Sequence, residues 1–314
     1  MSQKRMIPPK QSTREFYKEG KTIQGYSLFD FLHGYVYGRW PYFYIGIGKG
    51  EHPLAKIFVP LFNFLTRIFG QSRNPDQGGI TFADTYHGKV VPTQAASELV
   101  KVKEDISLTD LEPIIPYARA KDIILKNPDH IVVLDCPCRS ARQNPCLPLD
   151  VCLIVGEPFA SFVLEHQPHR SRSISSQEAV QILEEEHQRG HVHHAFFKDA
   201  MLDRFYAICN CCSCCCGAMQ AQRNGTEMLA SSGYVAQVDQ DLCIACGVCA
   251  DLCPFEAISM EGEYPLISGE DCMGCGVCVG HCEVEAIELL LSPEKGEPLS
   301  IQALLEEKRG ISPL

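Results

Sequence analysis

Eighteen cysteines are the residues of this 314-residue chain whose type and spacing most directly predict chemistry. Ten of them lie between residues 136 and 216, and the other eight lie between residues 243 and 282. Cysteines at this density outside a short secreted protein indicate metal ligands rather than disulfides. The first residues carry no apolar segment typical of a signal peptide, and no apolar run is long enough to span a membrane. We therefore expect a cytoplasmic protein with reduced thiols.

The eight later cysteines form two runs that share one spacing, C-x2-C-x2-C-x3-C. The runs consist of Cys243, Cys246, Cys249, Cys253 and of Cys272, Cys275, Cys278, Cys282. The duplication extends beyond the cysteines, because DLCIACGVCADLCPFEAI aligns with EDCMGCGVCVGHCEVEAI. This spacing is typical of bacterial [4Fe–4S] proteins, in which the fourth cysteine of each run ligates the other cluster. Gly247 and Gly276 are expected to let the backbone turn closely around each cluster.

Over residues 234–292 the chain resembles two-cluster bacterial-type [4Fe–4S] ferredoxins. The resemblance implies one cluster on Cys243, Cys246, Cys249, Cys282 and a second on Cys272, Cys275, Cys278, Cys253. Glu283 stands where the family usually has a proline, a change that removes no ligand and is expected to shift the potential of the first cluster. Zinc on these eight cysteines is the alternative, and the triple spacing of each run disfavours it.

The ten earlier cysteines lie in a CPCR segment, two single positions and a CNCCSCCC segment. We predict a further metal centre there, held by Cys136, Cys138, Cys209 and either Cys211 or Cys212. Additional candidate ligands are Cys146, Cys152, Cys214, Cys215 and Cys216. Adjacent residues of an extended chain point to opposite sides, so Cys211 and Cys212 are not expected to serve one centre, and the same holds within residues 214–216. An iron–sulfur centre, a zinc ion and thiols used directly in redox chemistry remain open interpretations.

Residues 113–220 resemble the Cys-rich region that precedes the two-cluster domain in a widespread group of anaerobic ferredoxin-like proteins. The four segments that carry the resemblance are CxCR, Pro-x-x-x-Cys-Leu, Ser-x-x-Glu-Ala and CNCCxCCC, at residues 136–139, 148–153, 175–179 and 209–216. The resemblance implies iron–sulfur binding and says little about a substrate.

Two further polar features carry alternative interpretations. Arg139 follows Cys138 directly, so it either donates to a cluster sulfur, binds a substrate anion or lies on the surface. The His191, His193 and His194 group either ligates a metal ion or consists of polar residues on an edge strand.

The elements that must position these residues follow from local patterns. The sequence predicts a helix over residues 113–126, ended by Asn127-Pro128, and a strand over 131–134 that leads to Cys136. Ser175 predicts the start of a helix that extends to Arg189 and stops at Gly190. A strand over 205–208 leads to Cys209. Ser300 is expected to cap a helix through Lys308 that stops at Gly310.

These patterns divide the chain into four regions. They are a basic, aromatic-rich region over 1–110, a Cys-rich region over 111–233, a ferredoxin-like domain over 234–292 and a helical tail over 293–314. We predict an α+β fold with a loop-rich Cys-rich domain and a small two-cluster ferredoxin-like domain.

Charge is unevenly distributed along the chain, whose formal net charge is −11. Residues 237–292 contain no Lys or Arg, and this acidic surface predicts redox partner proteins with a basic docking surface. Residues 40–70 are aromatic and apolar at helical spacing. They either pack as core or contact a membrane surface or partner subunit, in which case the cytoplasmic protein is peripheral to the membrane. No nucleic-acid-binding module, P-loop or flavin motif is present.

Three hypotheses about function follow. The first is an electron carrier that passes single electrons between redox partners through two [4Fe–4S] clusters and a further iron–sulfur centre. The second is an oxidoreductase whose active site is the middle centre, supplied with electrons by the ferredoxin-like domain. The third is an assembly or metal-handling factor that uses its adjacent thiols transiently.

Overall fold

The fold begins with a group of N-terminal helices. The computed structural model describes residues 9–56, 81–262 and 264–309. The helices of the first part are α1 (Gln11–Gly20), α2 (Leu28–Arg39), α3 (Pro41–Gly48) and the short α4 (Phe82–Thr85). Ser27 begins α2, where its hydroxyl accepts the Asp30 amide and the Asp30 carboxylate accepts the Ser27 amide, which satisfies backbone groups at the helix start.

An eight-stranded sheet forms the centre of the molecule. Its strands are β1 (Tyr86–Val90), β2 (Ile106–Leu108), β3 (Ile123–Asp135), β4 (Asp150–Glu157), β5 (Ser171–Ile174), β6 (Val192–Lys198), β7 (Arg204–Cys211) and β8 (Leu229–Ala230). The order is β2-β3-β4-β7-β6-β1-β8, with β5 also paired to β3. All pairs are antiparallel except β1 with β8. Strand β7 therefore lies between β4 and β6 in the middle of the sheet.

Helices cover both faces of this sheet. Those that connect its strands are α5 (Thr93–Lys101), α6 (Pro137–Ser140), α7 (Phe159–His166), α8 (Ser176–Gln188) and α9 (Gly217–Arg223). One core joins the sheet to α1, α2, α7 and α9 and includes Phe16, Tyr37 and Met219. The other core joins it to α5, α8 and the C-terminal helix and includes Leu99 and Leu183. The predicted mixture of helices and sheet is confirmed.

The last part of the chain repeats one small unit twice. Its elements are β9 (Tyr234–Val238), α10 (Val248–Leu252), β10 (Ile258–Glu261), β11 (Tyr264–Ile267), α11 (Val277–Gly280), β12 (Ile287–Leu291), a 3-10 turn (Pro293–Lys295) and α12 (Ile301–Lys308). β9 pairs with β12 and β10 pairs with β11, both antiparallel. Backbone conformation follows the sequence duplication, because Ala245 and Gly274, and likewise Glu256 and Glu285, occupy matching positions with positive φ.

One predicted helix is wrong. Residues 113–122 form turns and a short bridge, and Ile123 begins the long strand β3, which continues past Asn127. β3 pairs Ile123–Leu125 with β2, and the Asn127 φ of 48° accompanies a change of register along the strand. Pairing with β2 and β4 therefore overrides the local helical pattern.

The other predicted elements are confirmed. β3 leads directly to Cys136, and β7 extends to Cys211, so Cys209 and Cys211 lie within the strand rather than after it. Ser175 caps α8 by accepting the Glu178 amide, and Ser300 caps α12 by accepting the Ala303 amide. Helix α12 ends at Lys308, and Gly310 lies outside the described residues.

The aromatic N-terminal region divides between core and surface. Tyr42, Tyr44 and Ile45 of α3 pack against the first core, whereas Trp40 and Phe43 are partly exposed. The apolar stripe predicted to follow lies outside the described residues from residue 57 onward. Among the described helices, none combines the length and apolar character needed to cross a lipid bilayer.

Candidate metal centres

Two cavities in the C-terminal repeat are each lined by four cysteines. One, of about 20 Å³, is lined by Cys243, Cys246, Cys249 and Cys282. The other, also about 20 Å³, is lined by Cys253, Cys272, Cys275 and Cys278. Each cavity thus receives three cysteines from one run and the last cysteine of the other run. These are the two sets that the ferredoxin spacing implies.

Backbone amides donate to thiols of both sets. Ala257 and Ala286, at matching positions of the repeat, donate to Cys253 and Cys282 over 3.3 Å each. Ala236 donates to Cys272 over 3.5 Å. Amide donors of this kind stabilise negative charge on cluster thiolates, so the donor set fits an iron–sulfur cluster.

Two glycines shape these loops as the sequence predicts. Gly247 and Gly276 have φ values of 77° and 80°, a backbone conformation that residues with a side chain rarely adopt. Each glycine begins a short helix, α10 or α11, directly after the second cysteine of its run. The turn keeps the third cysteine of each run on the same cavity as the first two.

The two cavities differ in their access to solvent. Cys246 is exposed, whereas Cys272 and Cys278 are buried. Burial raises the pKa of the Cys278 thiol to about 12. The surroundings of the second cavity therefore favour neutral thiols unless a metal compensates the negative charge of the thiolates.

The ten earlier cysteines separate into two groups, which we call the inner and outer thiol groups. The inner group consists of Cys136, Cys138, Cys152, Cys209, Cys211 and Cys216, which line one cavity of about 80 Å³ together with Cys212. The outer group consists of Cys146, Cys212, Cys214 and Cys215, whose sulfur atoms all lie within 4.8 Å of one another.

The inner thiols lie close enough to act on one another's pKa. Cys138 and Cys152 raise the pKa of Cys136, and Cys136 and Cys209 act on that of Cys152. The sulfur of Cys216 lies 3.2 Å from that of Cys211. These residues come from the end of β3, from α6, from the start of β4, from the end of β7 and from the start of α9. Neighbouring central strands thereby bring together cysteines that are far apart in the sequence.

Two of the inner thiols are more acidic than an ordinary cysteine. Hydrogen bonds from Cys136 and Cys216 hold the pKa of Cys138 well below its ordinary value. The hydrogen bond from Cys216 lowers the pKa of Cys211 to about 6. A cavity lined by seven cysteines, two of them with lowered pKa values, has the donor chemistry of a soft-metal centre.

The predicted ligands divide between these two groups. Cys211 lies in the inner group, next to Cys216. Cys212 lies close to Cys214 and Cys215 and also lines the cavity of Cys136 and Cys138. Cys214 and Cys215 lie together despite being adjacent, since the chain turns there instead of remaining extended.

Arg139 is not a surface residue. It is fully buried and donates to the Glu186 carboxylate, to the Asn210 carbonyl over 3.0 Å and to the Pro148 carbonyl over 2.5 Å. Its Nε atom is buried with no hydrogen-bond partner among the described residues. Arg139 lines the same cavity as Cys136, Cys138 and Cys212.

The three histidines have different surroundings. His191 is hydrogen-bonded to Glu186 over 2.7 Å, and His193 to Asn210 over 2.6 Å. His194 is fully buried, and neither of its ring nitrogens has a partner with ordinary hydrogen-bond geometry in the described part of the chain. It lies beside Cys211, whose pKa it helps to lower. The edge-strand interpretation is wrong, because β6 lies between β7 and β1.

Sequence reasoning missed a group of tyrosines on the cavity wall. The Tyr37 and Tyr206 hydroxyls share a hydrogen bond of 2.7 Å, and both residues line the cavity together with Tyr86. Burial raises the pKa of all three hydroxyls, so they keep their protons. The Lys198 ammonium lies 5.3 Å from the ring centres of both Tyr37 and Tyr86. Tyrosines scattered along the sequence at helical and strand positions gave no signal of this grouping.

Comparison with known families agrees with the first cysteine run. Residues 236–259 match the 4Fe-4S binding domain. The match includes all four cysteines of that run and supports the binding of at least one [4Fe–4S] cluster. Over this segment the chain is similar to iron–sulfur proteins. A search of curated proteins finds no match to the chain.

Proposed function

We propose that this chain is an electron-transfer protein with two [4Fe–4S] clusters in its C-terminal repeat and a further iron–sulfur centre on the inner thiol group. When bound, such clusters supply reversible one-electron transfer. The residues that would hold the first two are the two cysteine sets that line the C-terminal cavities. Those of the third are drawn from the six inner thiols.

The observation that carries this proposal is the packing between the repeat and the Cys-rich region. Phe255, Met273 and Cys275 pack against the same core that contains the inner residues Cys211 and Cys216. Val277 is fully buried in that core. The cavity lined by Cys275 therefore adjoins the core to which the inner thiols Cys211 and Cys216 belong.

The first cavity of the repeat faces solvent instead. Four apolar side chains around it are exposed: Leu242 by 53%, Ile244 by 64%, Val248 by 40% and Val284 by 36%. Ile244, Val248 and Val284 are the duplicates of Met273, Val277 and Phe255, which dock on the Cys-rich region. The apolar side chains are thus buried around the second cavity and exposed around the first.

Acidic residues adjoin this open face. Those next to it in the chain are exposed, and they are Asp239, Asp241, Asp251, Glu283 and Glu285. An apolar centre with a charged rim is the usual composition of a transient protein interface. This composition supports a redox partner with a basic rim, whose approach the acidic residues would accelerate.

The cofactor count is tested by iron and acid-labile sulfide per chain after anaerobic purification. About twelve or more of each is expected, whereas about eight would leave the inner thiols without a cluster and contradict the third site. Cys243→Ala should remove one [4Fe–4S] signal and leave the signal of the inner centre intact. Simultaneous loss of both signals would contradict the separation of the sites.

The docking face is tested with a basic cytochrome as electron acceptor. Asp251→Lys should slow electron transfer and reduce its dependence on ionic strength, because it replaces a negative charge that attracts the basic partner by a positive one. Asp129→Lys makes the same charge change at an exposed residue of β3, seven positions before Cys136, and should have a much smaller effect. Equal effects of the two variants would refute docking at this face.

One observation favours a second function, an oxidoreductase with its active site in the inner cavity. Protonated hydroxyls of Tyr37, Tyr86 and Tyr206 line the cavity wall together with the inner thiols, where they could donate to a bound substrate. The spectrum of the inner centre should then change when a small ligand is added, and Tyr206→Phe should weaken that response. A spectrum that does not change when ligands are added favours the electron carrier.

A further inference from the structure

The outer thiol group is compact in a way that the other cysteine sets are not. The sulfur atoms of Cys146 and Cys214 lie 2.8 Å apart and those of Cys214 and Cys215 lie 3.5 Å apart. Of the His, Cys, Asp and Glu side chains that the structure describes, these four cysteines are the one group whose spacing fits a single metal ion. Neither four-cysteine set of the C-terminal repeat has this spacing, although each lines a common cavity.

This difference distinguishes a single ion from a cluster. Four thiolates at about 2.3 Å from one tetrahedral zinc ion stand about 3.8 Å from one another. The thiolates around a four-iron cluster stand farther apart, since the iron–sulfide core separates them. The outer sulfur atoms, all within 4.8 Å of one another, match the single ion.

The surroundings supply positive charge for such a site. Four thiols that bind Zn²⁺ release four protons to solvent, and the resulting centre carries two negative charges. Arg142 donates to the Cys214 carbonyl over 2.9 Å, and Lys49 donates to the Cys215 carbonyl over 2.7 Å. The buried Nε atoms of Arg139 and Arg142 lack hydrogen-bond partners among the described residues, while other nitrogen atoms of the two side chains pair with Glu186 and Glu51.

The position of the group allows a metal ion to enter. Cys214 is exposed and Cys146 is half-buried, whereas Cys212 and Cys215 are buried. A path from solvent therefore reaches two of the four sulfur atoms directly. The donor set consists of four thiols, with no carboxylate or imidazole, and leaves no coordination position open. This is the composition of structural rather than catalytic zinc sites.

We propose that Cys146, Cys212, Cys214 and Cys215 hold one zinc ion in a tetrathiolate site separate from the iron–sulfur centres. The ion ties the loop after α6 to the turn after β7. Since Cys211 and Cys216 flank that turn and Cys212 also lines the inner cavity, the zinc site fixes the part of the cavity wall that carries these two inner thiols. Its existence does not depend on what the inner thiols bind.

Metal analysis of the full chain tests this proposal. The anaerobically purified wild type should contain about one zinc per chain, with X-ray absorption at the zinc edge showing four sulfur neighbours at about 2.3 Å. Cys214→Ser should lose the zinc and keep its iron and sulfide. Cys146→Ser, from the other loop, should do the same.

Cys216→Ser is the matched control, because it removes an inner thiol from the same turn. It should retain the zinc while altering the inner centre. The proposal is overturned if the wild type contains no zinc after growth with zinc, if zinc has neighbours other than sulfur, or if Cys214→Ser loses iron and sulfide instead. The zinc-edge spectrum is recorded on the wild type, so it tests the zinc site even if the variants fail to fold.

Discussion

Replacing Glu186 by Gln is expected to destabilise the fold strongly. The Arg139 and Glu186 side chains are only 1% and 0% exposed, and the substitution leaves the guanidinium with neutral acceptors, including two backbone carbonyls, in place of the carboxylate. Breaking a buried pair from one side costs about 3–5 kcal/mol. Because whole domains are stable by about 5–15 kcal/mol, the loss should be visible as a large fall in the urea midpoint.

Glu185 provides a matched control on the same helix. It pairs with Arg189 over 3.3 Å, and both side chains are well exposed, so Glu185→Gln should cost no more than about 1 kcal/mol. Anaerobic urea unfolding, followed by far-UV circular dichroism and by visible absorption, compares the two variants. Similar midpoints for Glu186→Gln and Glu185→Gln would refute the reasoning.

The same pair predicts a pH dependence. Burial alone would raise the pKa of Glu186, but hydrogen bonding from His191 and the charge of Arg139 hold it below its ordinary value of 4.5. A carboxyl with a depressed pKa stabilises the folded state above its unfolded pKa and loses that contribution as pH falls through its folded pKa. The stability difference between wild type and Glu186→Gln should therefore be full near neutral pH and shrink below about pH 4.5.

Three further predictions concern the docking of the repeat, the inner centre and the tyrosine group. Gly280→Ala would place a methyl group 2.3 Å from the His187 Nε2 atom, so it should loosen α11 from α8 and speed hydrogen exchange across residues 234–292. Gly269→Ala meets nothing within 4 Å and should leave exchange unchanged. His194→Leu removes an unpartnered imidazole beside Cys211 and should lower the reduction potential of the inner centre. An unchanged potential in a redox titration would show that the ring does not act on that centre. Tyr37→Phe deletes one side of the 2.7 Å hydroxyl pair with Tyr206 and should cost about 1–3 kcal/mol in urea unfolding, because it leaves a buried hydroxyl unpaired. A cost near zero would indicate that Tyr206 finds another partner.

Local chemistry explains which features the sequence could predict. The spacing of the two runs and the glycines at 247 and 276 specify loops whose geometry depends on neighbours within the same run. Ser175 and Ser300 likewise cap helices through amides three residues away. Turn glycines and helix caps of this kind act on backbone groups within a few residues, so the sequence alone displays them.

The features that escaped prediction depend on distant parts of the chain. Residues 113–126 lack a helix because Ile123–Leu125 pairs with β2. The burial of Arg139 requires Glu186, which is 47 residues away. The alternation of side chains separates Cys211 from Cys212, but only the meeting of loops shows that Cys212 joins Cys146.

The insertion of β7 between β4 and β6 implies an order of maturation. Cys136, Cys138 and Cys152 belong to the β3–β4 segment, and Cys209, Cys211 and Cys216 arrive only once β7 has paired with β4. Contacts across such separations form late, since closing a long loop costs entropy before the contact rewards it. The eight cysteines of the C-terminal repeat lie within a short stretch of chain. During synthesis, the repeat is therefore expected to bind metal only after the whole sheet has been translated. The inner cavity is expected to bind metal in a separate step, after β7 has paired with β4.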